Sequence, residues 1–103
     1  MEKTMELAVK YRDYVIGLRR YFHQHPELGG QEVNTSRRVI EELTAMGLEP
    51  KVIGSYKTAV ICDIHGEHPG KTIALRADMD ALNVQELNDC PYKSQVDGVM
   101  HAC

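Results

Sequence analysis

The hydrophobic period of the chain changes once, near Gly47, and this change limits the possible folds more than any other feature of the sequence. Before it, apolar residues recur every three or four positions, which predicts amphipathic helices. After it, the stretch "TAVICDIHG" alternates between apolar and polar residues, which predicts a strand. Because both periods occur in one chain without an internal repeat or linker, the sequence predicts a single α/β unit.

Two helices are predicted before the change. The first covers about residues 6–24 and ends at His25, because Pro26 disfavours the helical conformation at the residue before it. The second covers about residues 31–46, and Gly47 is its predicted stop. Its expected inward-facing residues are Val33, Val39, Ile40, Leu43 and Met46.

A β-hairpin and a long loop are predicted after the change. The strand in residues 58–66 is followed by the turn sequence "EHPGK", and "TIALRADMD" is predicted to pair back antiparallel to it. Beyond Asp80 the period is lost, so residues 83–103 are expected to form a long loop with at most a short strand. The predicted order is therefore two helices, a hairpin with one open sheet edge, and a loop.

Composition excludes several classes of protein. The chain has 103 residues and a net charge of −3, so it is predicted to be one soluble unit with no nucleic acid as partner. No apolar run approaches the roughly 18 residues of a membrane span, and the N-terminus lacks the apolar core of a signal peptide. A cytoplasmic location and no membrane partner are expected. Cys62, Cys90 and Cys103 lack CxxC spacing and are expected to be reduced.

Three short stretches contain side chains suited to chemistry. Taken alone, "FHQHPE" is interpreted as a helix end with surface histidines. In "RADMDA", Asp78 and Asp80 are two residues apart on a predicted strand and should point to the same side, where they can hold a cation or orient a metal-binding histidine. The alternative is a structural ion pair, because Arg76 is close enough in sequence to neutralise one carboxylate.

The third stretch is "MHAC" at the end of the sequence. Imidazole and thiolate are good ligands for zinc-like ions, so His101 and Cys103 are candidate metal ligands. A single His-x-Cys is a weak pattern by itself, and the alternative is an ordinary free cysteine.

The stretches "RRYFHQHPELGGQE", "PGKTIALRADMDAL" and "GVMHAC", in this order and at these separations, closely resemble the N-terminal part of the M20 metallopeptidase family. The branch they resemble contains N-acyl-amino-acid amidohydrolases, hippurate hydrolases and indole-acetyl-amino-acid hydrolases. The resemblance covers about residues 14–103. It implies the N-terminal part of an α/β/α catalytic domain, with the remaining catalytic part and a dimerisation domain lying outside these 103 residues.

The resemblance also implies a set of site residues. Cys103 corresponds to a thiolate that bridges two divalent metals, which are manganese, zinc or cobalt in the family. Asp80 matches an aspartate that lies beside the metals without binding them, and Asp78 stands where sister branches carry a metal-binding histidine. His25 and Glu27 match the first motif and are interpreted as structural. The chain departs from the family at Asn83, where proline is usual.

The activity implied for an intact protein is hydrolysis of the amide bond of N-acyl amino acids, in a homodimer. The metals would lower the pKa of a water molecule, and a glutamate further along the chain would accept its proton. Because catalytic zinc sites ordinarily need three protein ligands, the 103 residues alone are predicted to be an inactive N-terminal fragment. The alternative from another class is a small binding or assembly module that pairs through its open sheet edge.

Overall fold

The computed structural model describes all 103 residues. It contains three helices, α1 (Glu2–Lys10), α2 (Arg12–Gln24) and α3 (Val33–Ala45), followed by two short strands, β1 (Lys51–Ile53) and β2 (Ala59–Ile61). The predicted α/β class, with helices before a hairpin and a loop, is confirmed. The first predicted helix is divided at Tyr11 into α1 and α2, and His25 caps the end of α2 as Pro26 indicated.

Helix α3 begins at a carboxylate that lies outside the helix. The side chain of Glu27 accepts hydrogen bonds from the main-chain N–H groups of Thr35 (2.6 Å) and Asn34 (3.2 Å). These N–H groups have no partner within the helix, and a negative charge at this end also interacts favourably with the helix dipole. Burial raises the pKa of Glu27, but the hydrogen bonds from Thr35 and Asn34 outweigh it and leave the pKa below its ordinary value of 4.5. Glu27 is structural, as the sequence indicated.

The end of α3 confirms the prediction for Gly47. Gly47 has a φ of +85°, its N–H donates to the carbonyl of Thr44 (3.0 Å), and the N–H of Leu48 donates to the carbonyl of Leu43 (3.1 Å). This pair of bonds is the Schellman arrangement, which requires a left-handed residue and therefore favours glycine. The set of inward-facing residues predicted for this helix was too broad, since Val33 and Met46 are both 56% exposed.

The hairpin forms between different segments from those predicted. Strands β1 and β2 pair antiparallel, with Val52 opposite Val60, and the connection between them includes Gly54 and Lys57 at positive φ. The predicted partner in residues 72–80 is not a strand. The prediction of that pairing was wrong. Strand β2 pairs instead with the nearby segment Lys51–Ile53, whose five-residue connection closes at small entropic cost, and the other edge of β2 is unpaired within these residues.

Residues 62–80 form a stretch without helix or strand. Ile73 is 85% exposed and Leu75 is 96% exposed, so the apolar side chains that suggested a strand pack against almost nothing. A strand is stable only when its main-chain groups pair with a neighbour, and within these 103 residues this stretch has none.

Residues 81–103 form the irregular segment that the sequence predicted. The N–H of Ala81 donates to the carbonyl of Glu27 (2.8 Å), and Leu82 and Met100 exchange main-chain hydrogen bonds of 2.9 and 3.0 Å. These contacts place the end of the chain beside Ala81, which is the only buried apolar residue apart from Pro26. The last residues are therefore close to α2 and to the "RADMDA" stretch.

The molecule is open for its size. Its accessible surface is 8682 Å², whereas a compact monomer of 11.6 kDa exposes about 5,800 Å². The radius of gyration is 15.8 Å, against about 13 Å for a compact domain of this length. None of the three helices has the length and apolar character that crossing a membrane requires.

Candidate metal-binding cleft

Three of the four predicted site residues line one cleft. Asp78, His101 and Cys103 contribute to a cleft of about 390 Å³ between α2, α3 and the "RADMDA" stretch. Its apolar wall consists of Phe22, Val39, Ala77 and Met79. The structure therefore brings "RADMDA" and "MHAC", separated by 18 residues of sequence, to the same part of the surface.

Asp80 lies in an adjoining cleft of about 470 Å³, which Asp78 also lines. A Cβ added at Gly29 would lie 3.8 Å from Asp80 Oδ2, which shows how closely the loop after α2 passes this carboxylate. Asp78 is paired with Arg76 at 3.0 Å, and both side chains are largely exposed. The structural ion pair that the sequence offered as an alternative for Asp78 is therefore present.

His101 is the most informative side chain of the cleft. It is half-buried, and its Nε2 atom is buried with no hydrogen-bond partner. Burial lowers the pKa of His101 below its ordinary value of 6.5 and the neighbouring His23 lowers it further, while the main chain and charge of Asp80 oppose the shift. A neutral imidazole with a free ring nitrogen is the form in which histidine binds metals.

The donor set fits part of a metal site. No three histidine, cysteine, aspartate or glutamate side chains converge as a complete site. Two donors of suitable chemistry are available, the unpartnered Nε2 of His101 and the exposed thiol of Cys103, and catalytic zinc sites use three protein ligands. These residues can contribute to a metal site but do not complete one.

The structure also shows a buried pair that the sequence did not indicate. His23 was interpreted as a surface histidine, but it is 9% exposed and its Nε2 lies 2.9 Å from Oε1 of Glu86. Only His25 of this motif is exposed, so the interpretation was wrong for His23. The helical period places His23 one turn beyond Arg19, on the wall of the cleft. No local pattern links it to Glu86, 63 residues away.

Glu86 is the centre of the segment that carries the candidate ligands. It is 2% exposed and accepts hydrogen bonds from the N–H of Ser94 (2.7 Å) and the side-chain amide of Asn88 (3.1 Å), in addition to its contact with His23. The main-chain N–H of Ser94 has the largest effect on the pKa of Glu86; burial opposes it, and Asn88 and His23 lower the pKa further, so that it falls below 4.5. The carboxylate is therefore charged and satisfied at neutral pH.

Comparison with known proteins agrees with the motifs. A search against models of known protein families finds no match. The chain is 48% identical over all 103 residues to thermostable carboxypeptidase 1 of Saccharolobus solfataricus, and 41% identical over 102 residues to the N-acyl-L-amino acid amidohydrolase of Geobacillus stearothermophilus. It covers 26% and 27% of their lengths, so it spans about a quarter of the relatives it matches.

The fold has solved counterparts. The crystal structure of the Bacillus subtilis YXEP protein, described as a dinuclear metal binding peptidase from the M20 family, matches with a TM-score of 0.84 and 42% identity over 91% of this chain and 26% of that one. The relatives thus share a class, hydrolases of peptide or other amide bonds. The chain belongs to the M20 family, as its three motifs indicated.

Proposed function

We propose that this chain supplies part of the active site of a metal-dependent amidohydrolase that cleaves the amide bond of N-acyl amino acids. The observation that carries the proposal is the buried, unpartnered Nε2 of His101 in the same cleft as the thiol of Cys103. The relative named as an N-acyl-L-amino acid amidohydrolase, which matches 99% of the chain, supports this substrate class.

Each residue of the cleft has a distinct task in this proposal. Cys103, as a thiolate, and His101, through Nε2, hold divalent metal, and two ions are expected by analogy with the dinuclear peptidase. Bound metal lowers the pKa of a water molecule and polarises a carbonyl group. Asp80 would lie beside the metals without binding them, and its charge favours the protonated form of His101. Asp78, paired with Arg76, would contribute to the charge balance of the cleft.

The remaining parts of the activity belong to protein outside these residues. A third ligand and a general base are needed, and residues 1–103 supply neither at this cleft. We infer that the chain is the N-terminal segment of the catalytic domain, inactive alone, and that the whole protein is a cytoplasmic homodimer. The identity of the metal, among manganese, zinc and cobalt, is part of the same proposal.

A chimera tests the function directly. The 103 residues replace the matching segment of the Geobacillus stearothermophilus amidohydrolase, and hydrolysis of an N-acetyl amino acid is measured with and without a chelator. We expect chelator-sensitive turnover in the chimera and none from the 103 residues alone. Cys103→Ser should lower kcat/KM at least about a hundredfold, because an alcohol is a much poorer ligand than a thiolate.

Cys62→Ser is the matched control, since Cys62 lies at the end of β2 and lines neither cleft. It should leave turnover unchanged. An active chimera that tolerates Cys103→Ser would contradict the role of the thiolate, and chelator-sensitive turnover by the isolated chain would contradict its predicted inactivity.

One observation favours a second candidate, an assembly module. The exposed Ile73 and Leu75 extend along an unpaired stretch of main chain, which is the geometry that accepts an added strand. A module of this kind should form a defined monomer or dimer with cooperative urea unfolding, and the chimera should be inactive. A segment of a catalytic domain should instead give chelator-sensitive turnover in the chimera.

A further inference from the structure

A hydrogen-bonded chain connects α2 to the segment that carries the candidate metal ligands. It begins at the buried contact between His23 Nε2 and Glu86 Oε1 (2.9 Å). The same oxygen of Glu86 accepts the N–H of Ser94 (2.7 Å), and the hydroxyl of Ser94 donates to the carbonyl of Val99 (2.7 Å). Val99 is two residues before His101, so four residues link the side of α2 to the start of "MHAC".

The end of this chain is also bonded to the other side of the cleft. Met100 and Leu82 exchange main-chain hydrogen bonds, and Leu82 follows Asp80 by two residues. The segment from Val99 onward is thus held between two anchors, α2 through Ser94 and the "RADMDA" stretch through Leu82. Because both bonds of the Ser94 anchor are short and partly buried, solvent competes with them weakly.

We propose that Glu86 and Ser94 are positioning residues that fix His101 and Cys103 in place for metal binding. The inference rests on the proposed function only for the identity of the two ligands. Ligand side chains bind a metal tightly when surrounding hydrogen bonds hold them in the required geometry beforehand. Loosening those hydrogen bonds lowers the affinity for the metal rather than the stability of the fold. The contact between Ser94 and Val99 is the step of the chain that serves the ligand segment alone.

Hydrogen exchange in the 103-residue chain tests the positioning without any metal. Ser94→Ala removes the hydroxyl and keeps the main-chain N–H that binds Glu86. The variant loses the bond to Val99 and also the contacts of the hydroxyl with the carbonyl (3.1 Å) and N–H (3.2 Å) of Val96. We therefore expect the amide protons of Leu82 and Met100 to exchange at least about fivefold faster, while the amide of Thr35 in α3 is unchanged. A uniform acceleration at all three amides, or none at Leu82 and Met100, would overturn the inference.

Two further variants separate positioning from general stability. Ser94→Thr retains a hydroxyl and should restore slow exchange at Leu82 and Met100. Asn88→Ala removes another donor to Glu86, at 3.1 Å, that does not lead to Val99, and it should leave these two amides unchanged. Rapid exchange in Ser94→Thr, or acceleration by Asn88→Ala equal to that of Ser94→Ala, would show that the hydroxyl of Ser94 has no specific role.

A titration with Co²⁺ alone, followed by thiolate-to-metal absorption, tests the consequence for the ligands. Ser94→Ala should weaken Co²⁺ binding by about fivefold, and Ser94→Thr should restore it. Cys103→Ser should abolish the absorption. If Cys103→Ser keeps it, the proposed function fails. If only Cys103→Ser changes it and Ser94→Ala does not, the ligand stands and the positioning inference fails.

Discussion

Two neighbouring segments of this chain, both without helix or strand, differ in how they are held. Residues 81–103, here the carboxylate-centred segment, contain Glu86, which is 2% exposed and bonded to His23, Asn88 and Ser94. Residues 62–80, here the extended segment, leave Leu75 96% exposed. A buried carboxylate can order a segment with donors from its own surroundings, whereas an extended main chain needs a second strand.

The difference follows from the distance in sequence between the interacting groups. Two of the three donors to Glu86 lie two and eight residues after it, so the loop closes at small entropic cost. In the extended segment the side-chain contacts are equally local but lie on the surface, as between Arg76 and Asp78, and bury no side chain. An exposed ion pair of this kind contributes little to stability.

The largest predicted effect comes from removing the charge at the centre of the ordered segment. Glu86→Gln keeps the shape of the side chain but replaces one acceptor oxygen with an N–H₂ group, which cannot accept from its donors. We expect the amide proton of Ser94 to exchange roughly fiftyfold faster at neutral pH, because hydrogen bonds to charged groups are stronger than neutral ones. Two-dimensional NMR of the exchanging chain measures this rate.

Glu67→Gln is the matched control, since Glu67 is an exposed residue of the extended segment whose side chain forms no hydrogen bond or ion pair. It should change no exchange rate. Because the pKa of Glu86 is lowered in the folded chain, the charged carboxylate contributes its full stabilisation above about pH 4.5. This stabilisation is lost as the pH falls through the folded-state pKa. The difference between the parent chain and Glu86→Gln should therefore disappear on acidification, and a difference that persists in acid would exclude the carboxylate as its cause.

A smaller effect is predicted for a pair of glycines, one in each segment. Gly98 has a φ of +76° in the carboxylate-centred segment, and a Cβ there would meet no atom within 4 Å. Gly98→Ala should lower the free energy of unfolding by about 1 kcal/mol through backbone strain alone. Gly70, in the extended segment, is equally free of contacts and has no positive φ.

Gly70→Ala should leave the free energy of unfolding within about 0.5 kcal/mol of the parent value. Urea unfolding followed by circular dichroism measures both variants. Equal losses at the two glycines would mean that the extended segment is held as firmly as the carboxylate-centred one, and the comparison between them would fail.

The helices were predictable because their signals are local. Pro26 and Gly47 act on residues within one turn of themselves, so the ends of α2 and α3 follow from the sequence alone. The pairing of β2 was predicted with the wrong segment, because pairing is decided by which main chain lies alongside. Alternation in residues 72–80 shows that the segment can form a strand but not that a partner is present.

The candidate site was predictable only in part, for the same reason. The motifs named Asp78, Asp80, His101 and Cys103, and the structure places three of them in one cleft, but their roles as ligands stay predictions. The contact of His23 with Glu86 joins residues 63 positions apart, and neither residue stands in a pattern that marks it as buried. A charged side chain is expected at the surface until its partners are known.

The smallest effect is predicted for the most exposed apolar residue of the extended segment. Leu75 is 96% exposed, so Leu75→Asn removes almost no buried surface and should change the free energy of unfolding by less than about 0.5 kcal/mol. Val39→Ala, at a half-buried position on the wall of the cleft, is the comparison. It should lower the free energy of unfolding by about 1 kcal/mol. A loss at Leu75 as large as that at Val39 would show that the extended segment packs against the chain in solution. In that case the contrast between the two segments would lie in hydrogen bonding alone.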